Sequence, residues 1–163
     1  MAPVTFRAYT AQPGFTDDFQ RVREFLLRQN YDRLRFPNFP WGRWEWIFCL
    51  RFQDCTALDR IGLWEAAGEI VALVTYEDQL GDAFFVVDPA HAHLKEAMLD
   101  HAERHLAAPT RLRLLIDDYD ACLQRIAHAR GYAATQQTQP TSIIHPDSAL
   151  TWRLPDGFRL VCI

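Results

Sequence analysis

An apolar stretch from Ile61 to Tyr76, broken once by a short turn, constrains the fold of this chain more than any other segment. Ile61–Glu65 and Glu69–Tyr76 are rich in the β-branched, aromatic and aliphatic side chains that strands favour. The Ala67-Gly68 pair between them has the length of a tight hairpin connection. The sequence therefore predicts a pair of antiparallel strands near the middle of the chain.

Strand and helix patterns alternate on both sides of this hairpin. Val4–Tyr9 alternates apolar and polar residues with the period of a half-buried strand. Thr16 is a typical helix N-cap, and a helix with one apolar stripe is predicted over Asp17–Gln29. Further elements are predicted as a short helix over Arg43–Phe52, a strand over Ala83–Val87, a helix over His93–Leu106, a strand over Arg111–Ile116, a helix over Tyr119–Ala129 capped by Asp117-Asp118, and late strands over Tyr132–Gln137 and Leu150–Leu154. The order β-α-α-β-β-β-α-β-α-β-β predicts an α/β (mixed α+β) fold, in which about four helices cover both faces of a mixed sheet.

Composition narrows the class of protein. The length of 163 residues fits one domain. Seventeen Lys and Arg against 21 Asp and Glu give a net charge of −4, which argues against binding to nucleic acid or to an anionic membrane. No apolar run reaches the roughly 18 residues of a membrane span, and the N-terminus lacks the pattern of a signal peptide. The four cysteines form no CxxC pair, which argues against a metal knuckle. Because the sequence shows no export signal, we expect reduced thiols and a cytoplasmic location.

Three segments succeed one another in an informative order: the hairpin GLWEAAGEIVALVTYED, then FFVVDPAH, then LRLLIDDYDACLQRIAHARGY. The second contains a V-x-P triplet, and the third ends in the glycine-aromatic pair Gly131-Tyr132. In order and spacing they resemble the central strand pair, the end of the fourth strand, and the fifth strand with the fourth helix of the GNAT superfamily of N-acetyltransferases. The resemblance implies a GNAT-like domain over residues 1–154, with a twisted sheet whose fourth and fifth strands run parallel and splay apart.

The same resemblance implies a function and a cofactor. GNAT enzymes move an acetyl group from acetyl-CoA to an amine, so the expected acceptor is a small-molecule amine. The backbone of Phe85, Val86 and Val87 is expected to pair with the pantetheine arm of acetyl-CoA.

The phosphate-binding loop of that family is poorly matched. GNAT enzymes carry R/Q-x-x-G-x-G/A between the fourth strand and the next helix, where free amides and the helix dipole hold the pyrophosphate. Residues 88–95 here read DPAHAHLK, without glycine or arginine, and Asp88 adds a negative charge. Lys95 is the one residue expected to compensate. The segment therefore predicts weak or absent binding of acetyl-CoA.

The catalytic residues of the family are matched in part. The position of the usual tyrosine acid, four residues before Gly131, holds Ala127, and Tyr119 lies at the start of the helix instead. A carboxylate often stands at the start of the fourth strand, and Asp82 stands there. Asp82 is therefore the candidate general base. The alternative is a turn residue after Gly81.

A tryptophan-rich segment, WGRWEW, is the most distinctive stretch of the chain. In a GNAT-like fold the second helix borders the acceptor groove, so its residues are the candidate substrate-binding set: Trp41, Arg43, Trp44, Glu45 and Trp46. Trp44 and Trp46 lie about 200° apart around a helix. One of them is therefore expected in the core, and the other is expected to face a groove or solvent. The alternative for the whole segment is core packing, with the charged side chains solvated.

Histidines recur near the third helix without a recognisable metal motif. His101 and His105 are four residues apart, on one helix face, and His91 and His93 stand at the helix start. The run HAERH is not HExxH, because Glu103 is misplaced. The sequence predicts no metal site.

The C-terminal residues resemble the N-terminal strand. Phe6-Arg7 in the first strand matches Phe158-Arg159, which suggests that a second GNAT unit begins over 155–163. The chain would then be the N-terminal half of a tandem GNAT protein, and its partner a second GNAT domain or a second copy of itself. The poor phosphate loop fits this interpretation, since one half of such tandems often lacks the coenzyme motif.

Three functions stay open at this point. The first is a GNAT N-acetyltransferase, and the second is a non-catalytic GNAT-like domain that binds a partner or a small ligand through Trp41–Trp46. The third is a ligand-binding module outside this family, built around the same tryptophans.

Overall fold

The computed structural model describes residues 3–31, 37–49, 53–140 and 156–157. The strands are β1 (Val4–Ala8), β2 (Gly62–Ala66), β3 (Glu69–Thr75), β4 (Asp82–Val87) and β5 (Arg113–Leu115). The α-helices are α1 (Asp17–Tyr31), α2 (Trp41–Ile47), α3 (Lys95–His101) and α4 (Ala121–Ala129). Two 3-10 segments, Cys55–Arg60 and Pro89–Leu94, and a π-helical turn, Ala102–Leu106, complete the described elements.

The five strands form one mixed sheet in the order β1-β2-β3-β4-β5. The first four pair antiparallel, and β4 pairs parallel with β5. A parallel pair needs a crossover, which Pro89–Leu106 supplies with its helical segments. The predicted mixed α/β class with a mixed sheet is confirmed.

The predicted hairpin is confirmed, with a turn that its residues explain. Ala67 has φ +52° and Gly68 has φ +83°. Two successive residues with positive φ are what the favoured two-residue hairpin turn requires, because it matches the twist of the flanking strands. Glycine meets that requirement without strain, whereas Ala67 is the one described residue other than glycine with positive φ.

Helix α1 follows its sequence pattern closely. The backbone N–H of Phe19 donates to the Thr16 hydroxyl at 3.3 Å, so Thr16 caps the helix as predicted. Asp17 and Asp18 lie in the first turn, where carboxylates favour the helix dipole. The apolar stripe is fully buried against the sheet and comprises Phe19, Val22, Phe25 and Leu26.

Helices cover both faces of the sheet, as predicted. Neighbouring residues of a strand point to opposite faces. In β1 the Phe6 ring contacts His101 of α3, whereas Arg7 pairs with Asp18 of α1. Helix α3 therefore lies on one face and α1 on the other. Trp44 of α2 contacts Tyr9 and Phe19, which places α2 on the side of α1.

Several predicted boundaries are wrong. The segment Tyr132–Gln137 forms no strand, because its residues after Tyr132 are exposed and do not pack against the core. The helix predicted over His93–Leu106 is three helical segments, and its start is a 3-10 segment that begins with Pro89. Helix α2 begins at Trp41 rather than Arg43, and α4 begins at Ala121 with Asp120 as its cap.

Other predictions concern residues that are not described. Residues 50–52 of the predicted second helix and the strand predicted over Leu150–Leu154 lie outside the described residues. So does the proposed second unit over 155–163, except for a turn at Asp156-Gly157.

Candidate functional site

Asp82, the candidate base, opens β4 and is held by arginine. Its cross-strand partner in β5 is Arg113, whose Nε donates to Oδ1 at 2.8 Å and whose Nη2 donates to Oδ2. Arg111 adds a third nitrogen, 3.9 Å from Oδ1. These hydrogen bonds raise the pKa of the Arg113 guanidinium. Both oxygens of Asp82 therefore accept hydrogen bonds from the guanidinium of Arg113.

The edge of β4 expected to meet the coenzyme arm has no strand beside it in the described part of the chain. β4 and β5 pair only over three residues, and the last pair is Phe84 with Leu115. β4 continues through Phe85 and Val86 to Val87, and all three pair with β3 on the other side. Within the described residues no strand pairs with them on the side of β5. A strand edge without a neighbour presents backbone N–H and C=O groups with which an extended ligand can pair.

In the loop after β4, backbone N–H groups donate hydrogen bonds to a residue of the same loop. Asp88 caps the 3-10 segment, and its Oδ1 accepts from the N–H of Ala90 at 2.8 Å. The Asp88 carbonyl accepts from the N–H of His91 at 2.7 Å. A pyrophosphate site at a helix start depends on free N–H groups, and these two are already bonded.

Lys95, the expected compensating cation, is paired within the protein. Its Nζ lies 2.6 Å from Oδ1 of Asp120, and both side chains are mostly buried. The same Asp120 oxygen accepts from the N–H of Leu123 and so caps α4. The pair links the start of α3 to the start of α4, and it neutralises the charge of Lys95.

A groove of about 450 Å³ between these two helices was not predicted from the sequence. Its charged and thiol-bearing lining residues are His93, Lys95, Glu96, Cys122, Arg125 and Arg130. Arg130 is paired with Asp100 and Glu103. Lys95 and Arg125 are 30 positions apart in sequence, so only the packing of α4 on α3 reveals the groove.

The tryptophans of α2 divide as the helical spacing predicts. Trp44 is completely buried, its Nε1–H donates to the carbonyl of Phe19 at 3.1 Å, and its ring stacks on Phe19 at 5.8 Å. Trp46 is 64% exposed and Trp41 is 36% exposed. A side chain with no exposed surface cannot contact a ligand that arrives from solvent. We therefore no longer count Trp44 among the candidate substrate-binding residues.

The charged residues of α2 are committed to intramolecular pairs. Arg43 makes two hydrogen bonds to the carboxylate of Glu77, and its guanidinium lies 4.5 Å from the centre of the Phe84 ring. Glu45 pairs with Arg23, which in turn lies 5.7 Å from the centre of the Trp41 ring. We call the outer part of α2, formed by Trp41, Arg43, Glu45 and Trp46, the acceptor face. On this face Arg43 and Glu45 are held in ion pairs, whereas the indole rings of Trp41 and Trp46 are exposed and take part in none.

A polar cluster at the end of β5 was missed by sequence reasoning. The N–H of Asn38 donates to Oδ1 of Asp117 at 2.9 Å, and its Nδ2 donates to the carbonyl of Leu115 at 2.8 Å. Tyr119 also hydrogen-bonds to Asp117. Burial raises the pKa of the Asp117 carboxyl, and this effect outweighs the opposing hydrogen bonds from Tyr119 and Asn38. The sequence suggested only a helix cap at Asp117, because Asn38 is 79 positions away.

The histidines do not converge on one point. His91 and His93 lie 6.0 Å apart between ring centres, and His101 stacks on His105 at 4.6 Å. His101 is buried, and its Nε2–H donates to the carbonyl of Arg60 at 2.7 Å. In the part of the chain that the structure describes, no three His, Cys, Asp or Glu side chains are grouped to hold a metal ion.

The sequence matches no protein-family model and shows no significant similarity to a curated protein. Among the described residues no helix is long and apolar enough to cross a membrane.

Proposed function

We propose that the chain is a GNAT-type domain that transfers an acetyl group from acetyl-CoA to a small amine and binds acetyl-CoA weakly. The observation that carries the proposal is the short parallel pairing of β4 with β5, crossed by the helical segments of Pro89–Leu106. It leaves the backbone of Phe85–Val87 without a strand partner on one side, in the described part of the chain. A pantetheine arm carries amides, which can hydrogen-bond to such a strand edge.

We expect weak binding of acetyl-CoA because of the residues that would surround its phosphates. The amides of Ala90 and His91 are bonded within the loop, and Lys95 is neutralised by Asp120. A coenzyme phosphate would compete with Asp120 for Lys95 and would meet the charge of Asp88. We therefore expect the strand edge to supply most of the affinity.

Chemical-shift mapping with acetyl-CoA tests where the coenzyme binds. The amides of Phe85, Val86 and Val87 should shift as acetyl-CoA is added to millimolar concentration. S-acetylpantetheine, which lacks the nucleotide, should shift the same amides to a similar extent. Shifts confined to other elements, or no shifts at all, would remove the basis of the proposal.

A non-catalytic binding domain is the second candidate, and the exposed indoles of Trp41 and Trp46 favour it. Exposed aromatic faces bind rings and cations through stacking and cation–π contacts. On this alternative a small ligand or a partner, such as a second GNAT domain or a second copy of this chain, occupies the acceptor face without reaction.

Tryptophan fluorescence combined with turnover separates the two candidates. An amine that changes the fluorescence of the wild type, but not of Trp46→Ala, binds at the acceptor face. Acetylation of that amine supports the enzyme. Binding of the amine without acetylation at millimolar acetyl-CoA supports the binding domain.

A further inference from the structure

Asp117 lies at the end of the sheet where β4 and β5 stop pairing. Phe84 with Leu115 is the last parallel pair, and Asp117 follows Leu115 by two residues, at the end of the pairing where the edge of β4 loses its strand neighbour among the described residues. Asp82 is four residues before Val86, which at about 3.3 Å per residue places it roughly 13 Å away along the strand. Asp117 therefore follows the end of the β4–β5 pairing where the unpaired edge begins, whereas Asp82 lies in the first pair, at the opposite end.

The two carboxylates also differ in their partners. Asp82 is held by Arg113 through both oxygens. Asp117 takes part in none of the ion pairs that the described residues form. Its partners are the backbone N–H of Asn38 and the side chain of Tyr119, which are neutral donors. A carboxylate that is partly desolvated and free of a cation is the better proton acceptor.

Asn38 connects this carboxylate to the acceptor face. It contacts Asp117 and Leu115, and its carbonyl accepts from Nη1 of Arg43 at 3.0 Å. Arg43 in turn covers the ring of Phe84, the last β4 residue paired with β5. Asn38 thus links Asp117 to Arg43 of the helix expected to receive the amine, and Leu115 links it to the last pair before the strand edge expected to receive the thioester.

We propose that Asp117, rather than Asp82, accepts the proton of the acceptor amine; this inference rests on the proposed acetyl transfer. The acceptor ammonium gives one proton to the Asp117 carboxylate, directly or through water. The freed nitrogen lone pair attacks the thioester carbonyl carbon, the C–N bond forms, and the C–S bond breaks. The second proton lost by the nitrogen goes to the leaving thiolate. One ammonium and one thioester thus give one amide, one thiol and one proton, which leaves Asp117 for solvent.

Acetyl transfer from acetyl-CoA, at millimolar concentration, to phenethylamine, spermidine and glycinamide tests the assignment. Asp117→Asn keeps an oxygen acceptor for the Asn38 N–H but cannot take a proton. We expect Asp117→Asn to lower kcat/KM by about 100-fold or more, as loss of a general base does. The matched control is Asp118→Asn at the exposed neighbouring position, which should keep wild-type kcat/KM. Wild-type kcat/KM should rise with pH through a pKa above the ordinary Asp range, and Asp117→Asn should lack that step.

Different results overturn different claims. If the wild type acetylates none of the amines, the proposed function fails and this inference fails with it. If the wild type is active and Asp117→Asn stays within tenfold of it, only the assignment of Asp117 fails. A large loss in Asp82→Asn without one in Asp117→Asn would return the role to Asp82. Should Asp117→Asn not fold, Asp117→Glu replaces it: reduced turnover with the pH step retained is expected, and unchanged turnover without that step overturns the assignment.

Discussion

At the scale of single residues, Trp44 anchors α2 to the rest of the core. It packs against Phe19 and Tyr9, and its indole N–H is satisfied by a backbone carbonyl. Truncation would remove a large buried ring and leave a cavity, together with an unsatisfied carbonyl. Trp44→Ala should therefore lower the free energy of unfolding by about 3–5 kcal/mol.

The matched control for this prediction is Trp46→Ala, two residues away on the exposed side of the same helix. It should change the free energy of unfolding by no more than about 0.5 kcal/mol, because few contacts are lost. Denaturant melts of both variants measure the difference. Equal losses, or no loss in either, would contradict the one-sided helix.

His101 makes the stability depend on pH. Burial lowers the pKa of its imidazole below the ordinary value of 6.5, against the opposing effect of its hydrogen bond to Arg60, and His105 and Arg104 add positive charge nearby. Because the folded-state pKa is lower than the unfolded one, the unfolded chain binds the extra proton. The contribution of neutral His101 to the free energy of unfolding is complete above about pH 6.5 and is lost as the pH falls through the folded-state pKa.

Denaturant melts at pH 7.5 and at pH 5 check this dependence. The free energy of unfolding of the wild type should fall between the two pH values. In His101→Gln, which keeps an N–H donor and does not titrate, the fall should be smaller. An equal fall in both proteins would assign the pH dependence to other groups.

At the scale of elements, the pair of Lys95 and Asp120 links the start of α3 to the start of α4. Asp120→Asn keeps a good helix cap while it removes the charge. Lys95 is then available to a phosphate, so the affinity for acetyl-CoA should increase by about three- to tenfold, or roughly 0.7–1.4 kcal/mol.

The double variant Lys95→Met, Asp120→Asn is the control for this gain. It should bind acetyl-CoA no more tightly than the wild type, because no cation is released. Calorimetry on the three proteins gives the comparison. Equal affinities for the single and double variants would show that Lys95 does not reach the coenzyme.

The elements also show which features a sequence pattern can predict. Helix α1 and the hairpin were predictable because their signals are local: a Thr16 cap with an apolar stripe, and a glycine turn between two apolar strands. The strand predicted over Tyr132–Gln137 is absent from the structure. The few residues between a glycine and a proline-rich segment carry no clear hydrophobic period, so the prediction had little to rest on. The polar cluster around Asp117 could not be predicted, because its hydrogen bond to Asn38 joins residues that are 79 positions apart in sequence.

At the scale of the whole molecule, the strands of the sheet differ in burial and in the number of backbone pairs that they form. β3 lies between two antiparallel neighbours and is almost entirely buried, whereas β5 pairs with β4 over three residues and is half-buried. Segments with few buried contacts open at lower free energy than the core. Amide hydrogen exchange should therefore be slower at Leu73 than at Leu114 by at least about two orders of magnitude. Equal protection at the two positions would contradict the loose attachment of β5.

The central claim is our proposal that the molecule offers a strand edge to an acyl-thioester arm and binds the phosphates of acetyl-CoA only weakly. Calorimetric titration of the wild-type protein with acetyl-CoA tests that claim most directly. The account predicts a dissociation constant weaker than about 0.1 mM, which corresponds to less than roughly 5.5 kcal/mol of binding free energy. Micromolar affinity that disappears when S-acetylpantetheine replaces acetyl-CoA would contradict it, because residues 88–95 would then hold the phosphates after all.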